Sequence, residues 1–306
     1  MSTPTTLDLP HGVRRTTVDC ARGTFAALEA TPPGGAGERG TALLVPGYTG
    51  SKEDFIPILG PLAAAGRRVV AVDLRGQYQT AGPDDPAAYD LAELGTDIAA
   101  LARATATAHL LGHSLGGLVA REAVLSPGGT TPPDGGTARP PIPPWSLTLM
   151  CSGPAALPGD GWRAADLRTL LDYVAGAGPR DLEGKVAEIW HGVLEPQAVA
   201  SGVPAPVRAF LRERMLASNP TGLVEMARQL LTAADQTADL AKHDISTLVL
   251  YGENDDAWPP ELQEDMAHRL QARRACLPGA AHSPAVEAPA ATAYELTSFW
   301  NAAEGS

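Results

Sequence analysis

The sequence predicts an α/β protein: a mostly parallel sheet with helices on both faces, interrupted late in the chain by a helical insertion. Three observations predict it. Short, near-continuous apolar runs such as Thr41–Val45 (TALLV) and Arg68–Val72 (RVVAV) read as strands covered on both faces. Longer stretches with apolar residues every three to four positions alternate with these runs, as in connections between parallel strands. Residues 154–243 hold helical spacing only and break the alternation.

In chain order, Thr16–Cys20 and Thr24–Glu29 read as a hairpin about the Arg22–Gly23 turn. Between the two apolar runs, Phe55–Ala65 reads as a helix stopped by Gly66. After the Pro- and Asp-rich loop Gly82–Pro86, the residues Leu91, Leu94, Ile98 and Leu101 set one apolar face on a helix Leu91–Ala104. A strand Ala108–Leu111 and a helix Leu115–Leu125 follow. Residues 126–144 are nearly all turn formers and read as an exposed loop, and Trp145–Met150 resumes the strand pattern. Within the insertion, Asn219–Pro220 is a helix start signal ahead of a stripe made by Leu223, Val224, Ala227, Leu230 and Leu231. A strand Thr247–Tyr251, a helix Glu261–Arg269, a strand Arg274–Leu277 and a helix Ala285–Asn301 close the chain. The expected organisation is a core of residues 1–153 and 244–306 with an inserted helical cap at 154–243.

Composition excludes several function classes. At 306 residues and 44% apolar content, the chain can bury a full core without disulfides or metals. Its 23 basic and 35 acidic residues give a net charge of −12, a surface that repels phosphate backbones and anionic lipid heads. No nucleic-acid partner is expected. No apolar run approaches the ~18–20 residues of a spanning helix, so no integral membrane association is expected. The start MSTPTTLDLPHG lacks a basic stretch followed by an apolar core, and the expected location is cytoplasmic. Cys20, Cys151 and Cys276 lie far apart and read as reduced, buried thiols. The sequence carries no signal of oligomeric state.

The strongest local signal is Gly112-His113-Ser114-Leu115-Gly116, directly after the strand run and opening a helix. That strand-turn-helix setting is the one a nucleophile elbow requires: the flanking positions must lack side chains, and the serine Oγ stands out above the sheet edge. A hydroxyl needs a base. Of seven histidines, His282 lies in Pro278-Gly279-Ala280-Ala281-His282-Ser283-Pro284, just beyond the last strand, where a base can overhang the carboxyl edge of the sheet. His113 is expected to point away from the site, and His191, His243 and His268 to lie on the surface. An acid that orients the imidazole is expected in Gly252-Glu253-Asn254-Asp255-Asp256, with Asp255 chosen and Asp256 second. Donors for a negative oxygen are expected from the Leu115 backbone N–H and, in Pro46-Gly47-Tyr48-Thr49-Gly50-Ser51, from that of Tyr48. No histidine–carboxylate group has metal-ligand spacing, and neither metal nor cofactor is expected.

These residues resemble the α/β-hydrolase-fold serine hydrolases over nearly the whole chain. The family's G-x-S-x-G matches Gly112–Gly116, its acid loop matches Gly252, Asp255 and Pro259, its terminal histidine matches His282, and its oxyanion loop matches Pro46-Gly47-Tyr48, with proline in place of the usual histidine. Asp73-Leu74-Arg75-Gly76 resembles the family's D-x-R-G turn. The resemblance implies an α/β-hydrolase fold with an inserted cap, and a carboxylesterase-like hydrolase of a small-molecule ester or related acyl bond by way of an acyl-enzyme. Lactonase, thioesterase, aminopeptidase, carbon–carbon bond hydrolase and perhydrolase variants use the same three residues; a receptor-like ligand-binding protein is the alternative from another class. Trp162, Tyr173, Trp190, Phe210 and Met215 are candidates for an apolar acyl pocket, and Glu183, Glu188 and Glu195 for binding a free amine.

Overall fold

The computed structural model describes residues 2–34, 39–126 and 146–305. An eight-stranded sheet forms its centre, in the order β1-β2-β4-β3-β5-β6-β7-β8. β1 (Val13–Cys20) and β2 (Gly23–Ala30) pair antiparallel as the expected hairpin, and β2 pairs antiparallel with β4 (Arg67–Val72). From β4 onward every pairing is parallel, through β3 (Arg39–Val45), β5 (Thr107–His113), β6 (Ser146–Met150), β7 (Ser246–Gly252) and β8 (Arg273–Leu277). Strands β3–β7 are buried on both faces over most of their length because helices cover both, while the edge strand β8 leaves Arg273, Arg274 and Cys276 exposed. On one side α2 (Leu91–Ala104), α3 (Leu115–Leu125) and α10 (Pro260–Arg269) bring Leu94, Ile98, Leu118 and Met266 against Leu43, Val70 and Leu110. On the other, α1 (Ile56–Ala64) and α12 (Pro289–Ala303) bring Ile58, Leu59, Leu296 and Trp300 against Leu44, Val69 and Leu111.

The connection β3–β4 leaves to one side of β3, and the next returns to β5 on the other. The chain therefore reverses direction across the sheet between β3 and β5, where open α/β sheets form a crevice at their carboxyl edge. Register places Val45 opposite Gly112, Gly112 opposite Leu149, and Gly252 opposite Leu277, so the loops after these strands emerge along one edge.

Between β6 and β7 the described chain contains helices and no strand: α4 (Trp162–Val174), α5 (Pro179–Ile189), α6 (Glu195–Ala200), α7 (Ala205–Ala217), α8 (Pro220–Thr232) and α9 (Thr237–Leu240). Asn219 caps α8 as its sequence indicates, its side chain accepting the Gly222 N–H at 2.9 Å. A π-helical turn at Trp190–Leu194 was not foreseen. The helix expected over Ala285–Asn301 is split, with α11 at Pro284–Glu287 and α12 beginning at Pro289, whose ring carries no N–H to continue the ladder. The loop expected at 126–144 lies, apart from Ser126, outside the described residues, as does Trp145. Cys151 is buried as expected, but Cys276 is exposed and Cys20 partly so. Among the described residues no helix is long and apolar enough to cross a membrane.

Candidate active site

β5 ends at His113 and α3 starts at Leu115, leaving Ser114 alone to turn the chain. Its backbone lies at φ 56°, ψ −121°, a conformation that costs a non-glycine residue of order 1–3 kcal/mol and persists only where the surroundings impose it. Here they do. The Ser114 N–H donates to the Met150 carbonyl at 2.9 Å, and backbone crowds both flanks. A Cβ at Gly112 would stand 2.1 Å from the Gly116 carbonyl oxygen, and one at Gly116 would stand 2.4 Å from that of Pro46. The glycines of G-x-S-x-G are thus required by contact.

His282 arrives from the loop after β8. Glu287 on α11 shapes that loop, accepting the N–H groups of Ala281 at 2.5 Å and Ser283 at 3.2 Å. The His282 ring lies between two partners: Nε2 is 3.0 Å from Ser114 Oγ, and Nδ1 is 2.8 Å from Asp255 Oδ1. Asp255 also accepts the Ala257 N–H at 2.9 Å and the Gln263 amide at 2.8 Å. Burial alone would raise the Asp255 carboxyl, but the bond and charge of His282 with these two donors hold it below the usual carboxylate range. A carboxylate at Nδ1 fixes the proton there and leaves the Nε2 lone pair facing the serine hydroxyl. Asp256, the second choice from sequence, points away and pairs with Arg163 at the start of α4, at 2.6 Å.

The loop after β3 lies beside the elbow. A Cβ at Gly47 would come within 2.9 Å of Ser114 Cβ, which brings the Tyr48 backbone close to the serine. Leu115 is the first residue of α3, where N–H groups have no intrahelical acceptor. Among the described residues, neither the Tyr48 nor the Leu115 N–H donates to a protein acceptor.

His113 corrects the sequence reading. Its ring does not point away: Nε2 donates to the His282 carbonyl at 2.6 Å, and the two rings lie 5.2 Å apart. Burial, then the neighbouring His282 charge, pushes its pKa down to about 3, so the ring stays neutral. It touches the elbow, the loop after β3 and the His282 loop together. A histidine beside the serine was visible in sequence; its reach to another loop was not. The other missed neighbour is Cys151, whose thiol forms with Asp255 and His282 a group of donor atoms within 4.8 Å of one another. Burial raises that thiol well above its ordinary pKa, and Asp255 adds to the effect, so it stays protonated rather than offering a thiolate to a metal.

The pocket residues expected from sequence divide. Trp190, Phe210 and Met215 are buried in one apolar cluster with Leu223, packed against Tyr48 and Tyr78. Trp162 and Tyr173 are exposed, on the outer side of α4, and do not line it. Glu183 and Glu188 are exposed, and Glu195 is engaged by His191 at 3.1 Å, so no convergent carboxylate group forms among them.

A sheet of this order, with a serine elbow where the chain reverses across it, defines an α/β-hydrolase fold. The chain belongs to the alpha/beta hydrolase family, whose pattern matches residues 42–296. Over 85 residues it is 42% identical to the "Putative carbamate hydrolase RutD" of Variovorax paradoxus (strain S110), a stretch covering 27% of this chain and 32% of that protein. The chain thus aligns with about a third of that curated relative's length. Among solved structures, a hydrolase from Pseudomonas aeruginosa PA01 superposes with a TM-score of 0.66 at 25% identity, covering 94% of this chain and 98% of that one. An esterase (EaEST) from Exiguobacterium antarcticum superposes with a TM-score of 0.68 at 19% identity, over 94% and 100%. The second likeness is one of fold.

Proposed function

We propose that the protein hydrolyses carboxylic esters or closely related acyl bonds through an acyl-enzyme on Ser114. The observation that carries this reading is the continuous relay from Ser114 Oγ through His282 to Asp255, at 3.0 and 2.8 Å. Ser114 Oγ attacks the acyl carbon while His282 Nε2 takes its proton; the imidazolium formed is stabilised by the ionised Asp255. The tetrahedral oxygen is held by the Tyr48 and Leu115 N–H groups, which donate to no protein acceptor among the described residues. His282 returns the proton to the leaving alcohol as the C–O bond breaks. A water then adds to the acyl carbon, giving its proton to His282, and the acid leaves as Ser114 is restored. The helical segment 154–243 acts as the cap, its Trp190, Phe210 and Met215 cluster giving the acyl side an apolar wall. No step needs a metal or a cofactor.

The local identity with the carbamate hydrolase sequence favours including carbamates beside esters, since the same attack on an acyl carbon serves both. Fluorophosphonate labelling with peptide mapping, then a panel of p-nitrophenyl esters of rising chain length and one aryl carbamate, tests the reading. Stoichiometric labelling of Ser114 with turnover of one or more of the panel is expected. Labelling with no turnover of any member would favour a ligand-binding protein on this fold.

A further inference from the structure

The loop after β3 holds a conformation its sequence does not favour. Thr49 lies at φ 56°, in the left-handed region, where a β-branched residue stays only if its neighbours hold it. Some of the holding is local to the core. The Gly50 N–H and the Gln77 amide both donate to the Gly47 carbonyl, at 3.1 and 2.9 Å. Just past the loop, the Lys52 backbone N–H and Nζ both donate to Asp73, each at 2.8 Å.

The remaining support is Asp54, which is in turn held from the helical insertion. Asp54 Oδ2 accepts the Ser51 N–H at 3.2 Å and lies so near Gly50 that a Cβ there would stand 2.6 Å from it. Asp54 Oδ1 accepts from Arg214 Nη1 on α7 at 2.8 Å. The side chains of Arg214 and Asp54 are 1% and 3% exposed. Burial raises the Asp54 carboxyl, and the Arg214 charge is the foremost opposing influence. Arg214 is itself held in place: Nη2 donates to the Ser2 carbonyl at 2.7 Å, and the guanidinium lies over the Phe210 ring at 5.2 Å. A charge on α7 therefore reaches the loop through Asp54, and Nη1 also donates to Ser51 Oγ at the loop's end, at 3.5 Å.

We propose that Arg214 is a positioning residue that, through Asp54, fixes the Gly47–Ser51 loop so that the Tyr48 N–H meets the developing oxygen, tying that donor's aim to the docking of the insertion. The proposal rests on the reading of Ser114 and Tyr48 given above. A buried ion pair is weak evidence for stability in itself, since desolvation offsets its attraction, so a role in geometry accounts better for its place behind the loop. Because Lys52 and Asp73 still anchor the turn, loss of Arg214 loosens the loop without unfolding it. Small misplacements of a catalytic group cost on the order of 10²-fold.

The test measures kcat and KM on p-nitrophenyl butyrate, and the inhibition constant of an aliphatic trifluoromethyl ketone, whose serine adduct places an oxyanion between the two donors. Wild type, Arg214→Gln, Arg214→Lys and Asp54→Asn are compared, with circular dichroism to establish folding. For Arg214→Gln, kcat is expected to fall about 10- to 100-fold with KM within about threefold. The ketone should weaken by the same factor as kcat, and Arg214→Lys should recover part of both. An unchanged ketone constant, or a loss confined to KM, is what a mere strut would give and overturns the proposal. If Arg214→Gln fails to fold, the near-isosteric Asp54→Asn decides by the same criteria. A wild type that does not bind the ketone would overturn the underlying Ser114 reading, and this proposal with it; equal binding by wild type and variants overturns this proposal alone.

Discussion

Asp255→Asn separates an orienting carboxylate from a solvated turn, and the structure shows which contacts the amide would lose. Three donors hold the Asp255 carboxylate: His282 Nδ1 at 2.8 Å, the Ala257 N–H at 2.9 Å and the Gln263 amide at 2.8 Å. An amide has one acceptor and one donor side. Turned with its NH₂ toward Gln263, it sets two donors against each other. Gln263 could then present Oε1, which lacks a partner among the described residues, but its Nε2 would leave the Trp258 carbonyl, now 2.7 Å away. Turned with its NH₂ toward His282, it forces the ring to accept at Nδ1, and the proton moves to Nε2, where it blocks transfer from Ser114. The first arrangement loses the charge that stabilises the imidazolium; the second loses the tautomer. A fall of about 10⁴ in kcat is expected, or ~5 kcal/mol of barrier. Asp256→Asn breaks a partly exposed pair with Arg163, worth about 1 kcal/mol or less, and should change kcat less than about fivefold. Stopped-flow release of p-nitrophenol, with circular dichroism on both variants, reads the comparison. A loss under tenfold for Asp255→Asn, or a larger loss for Asp256→Asn, would refute the assignment.

The remaining predictions concern stability, packing and metals. His113 has a folded pKa of about 3 against an ordinary 6.5, so as pH falls the unfolded chain takes up the proton first. Its stabilising contribution is complete above pH 6.5 and lost toward pH 3, amounting to about 2 kcal/mol by pH 5. His113→Gln, which keeps a side-chain donor, should show a smaller drop in urea midpoint between pH 8 and pH 5 than wild type, and an equal drop would contradict the placement of the ring. Gly116→Ala drives a Cβ to 2.4 Å from the Pro46 carbonyl and should lower the melting temperature sharply, whereas Gly184→Ala on α5 meets nothing within 4 Å and should leave it level or raise it slightly, adding up to ~1 kcal/mol of stability. Similar melting shifts for the two would count against the packed elbow. EDTA should leave ester turnover unchanged, and a reversible loss on chelation would point to a metal-activated water instead of Ser114.

Much of the fold is legible in the sequence because its signals are local. A buried parallel strand must be apolar on both faces, so TALLV and RVVAV declare themselves, and the period of Leu91, Leu94, Ile98 and Leu101 marks α2 to its end residues. The elbow is legible because its glycines answer to backbone contacts within the motif and one strand away. Contacts made through space leave no such trace. Nothing in the spacing of His113 and His282 announces that one ring donates to the other's carbonyl, and nothing in α7 marks Arg214 as the partner of Asp54, 160 residues earlier. The outward turn of Trp162 and Tyr173 shows the same limit: α4 is weakly patterned, and which aromatic faces the interior depends on packing against α8. The break between α11 and α12 was readable from Pro289, since proline cannot donate into a helix already under way.

The central claim is that Ser114 carries the acyl group, and the turnover of Ser114→Ala tests it most directly. The side chain is small and sits on a turn already imposed by Gly112, Gly116 and the Met150 carbonyl, so the variant should fold as wild type does. With ester at saturation, kcat should fall by about 10⁴- to 10⁶-fold, the residue being catalysis by the remaining donors and binding. A folded Ser114→Ala protein turning over within tenfold of wild type would contradict the account.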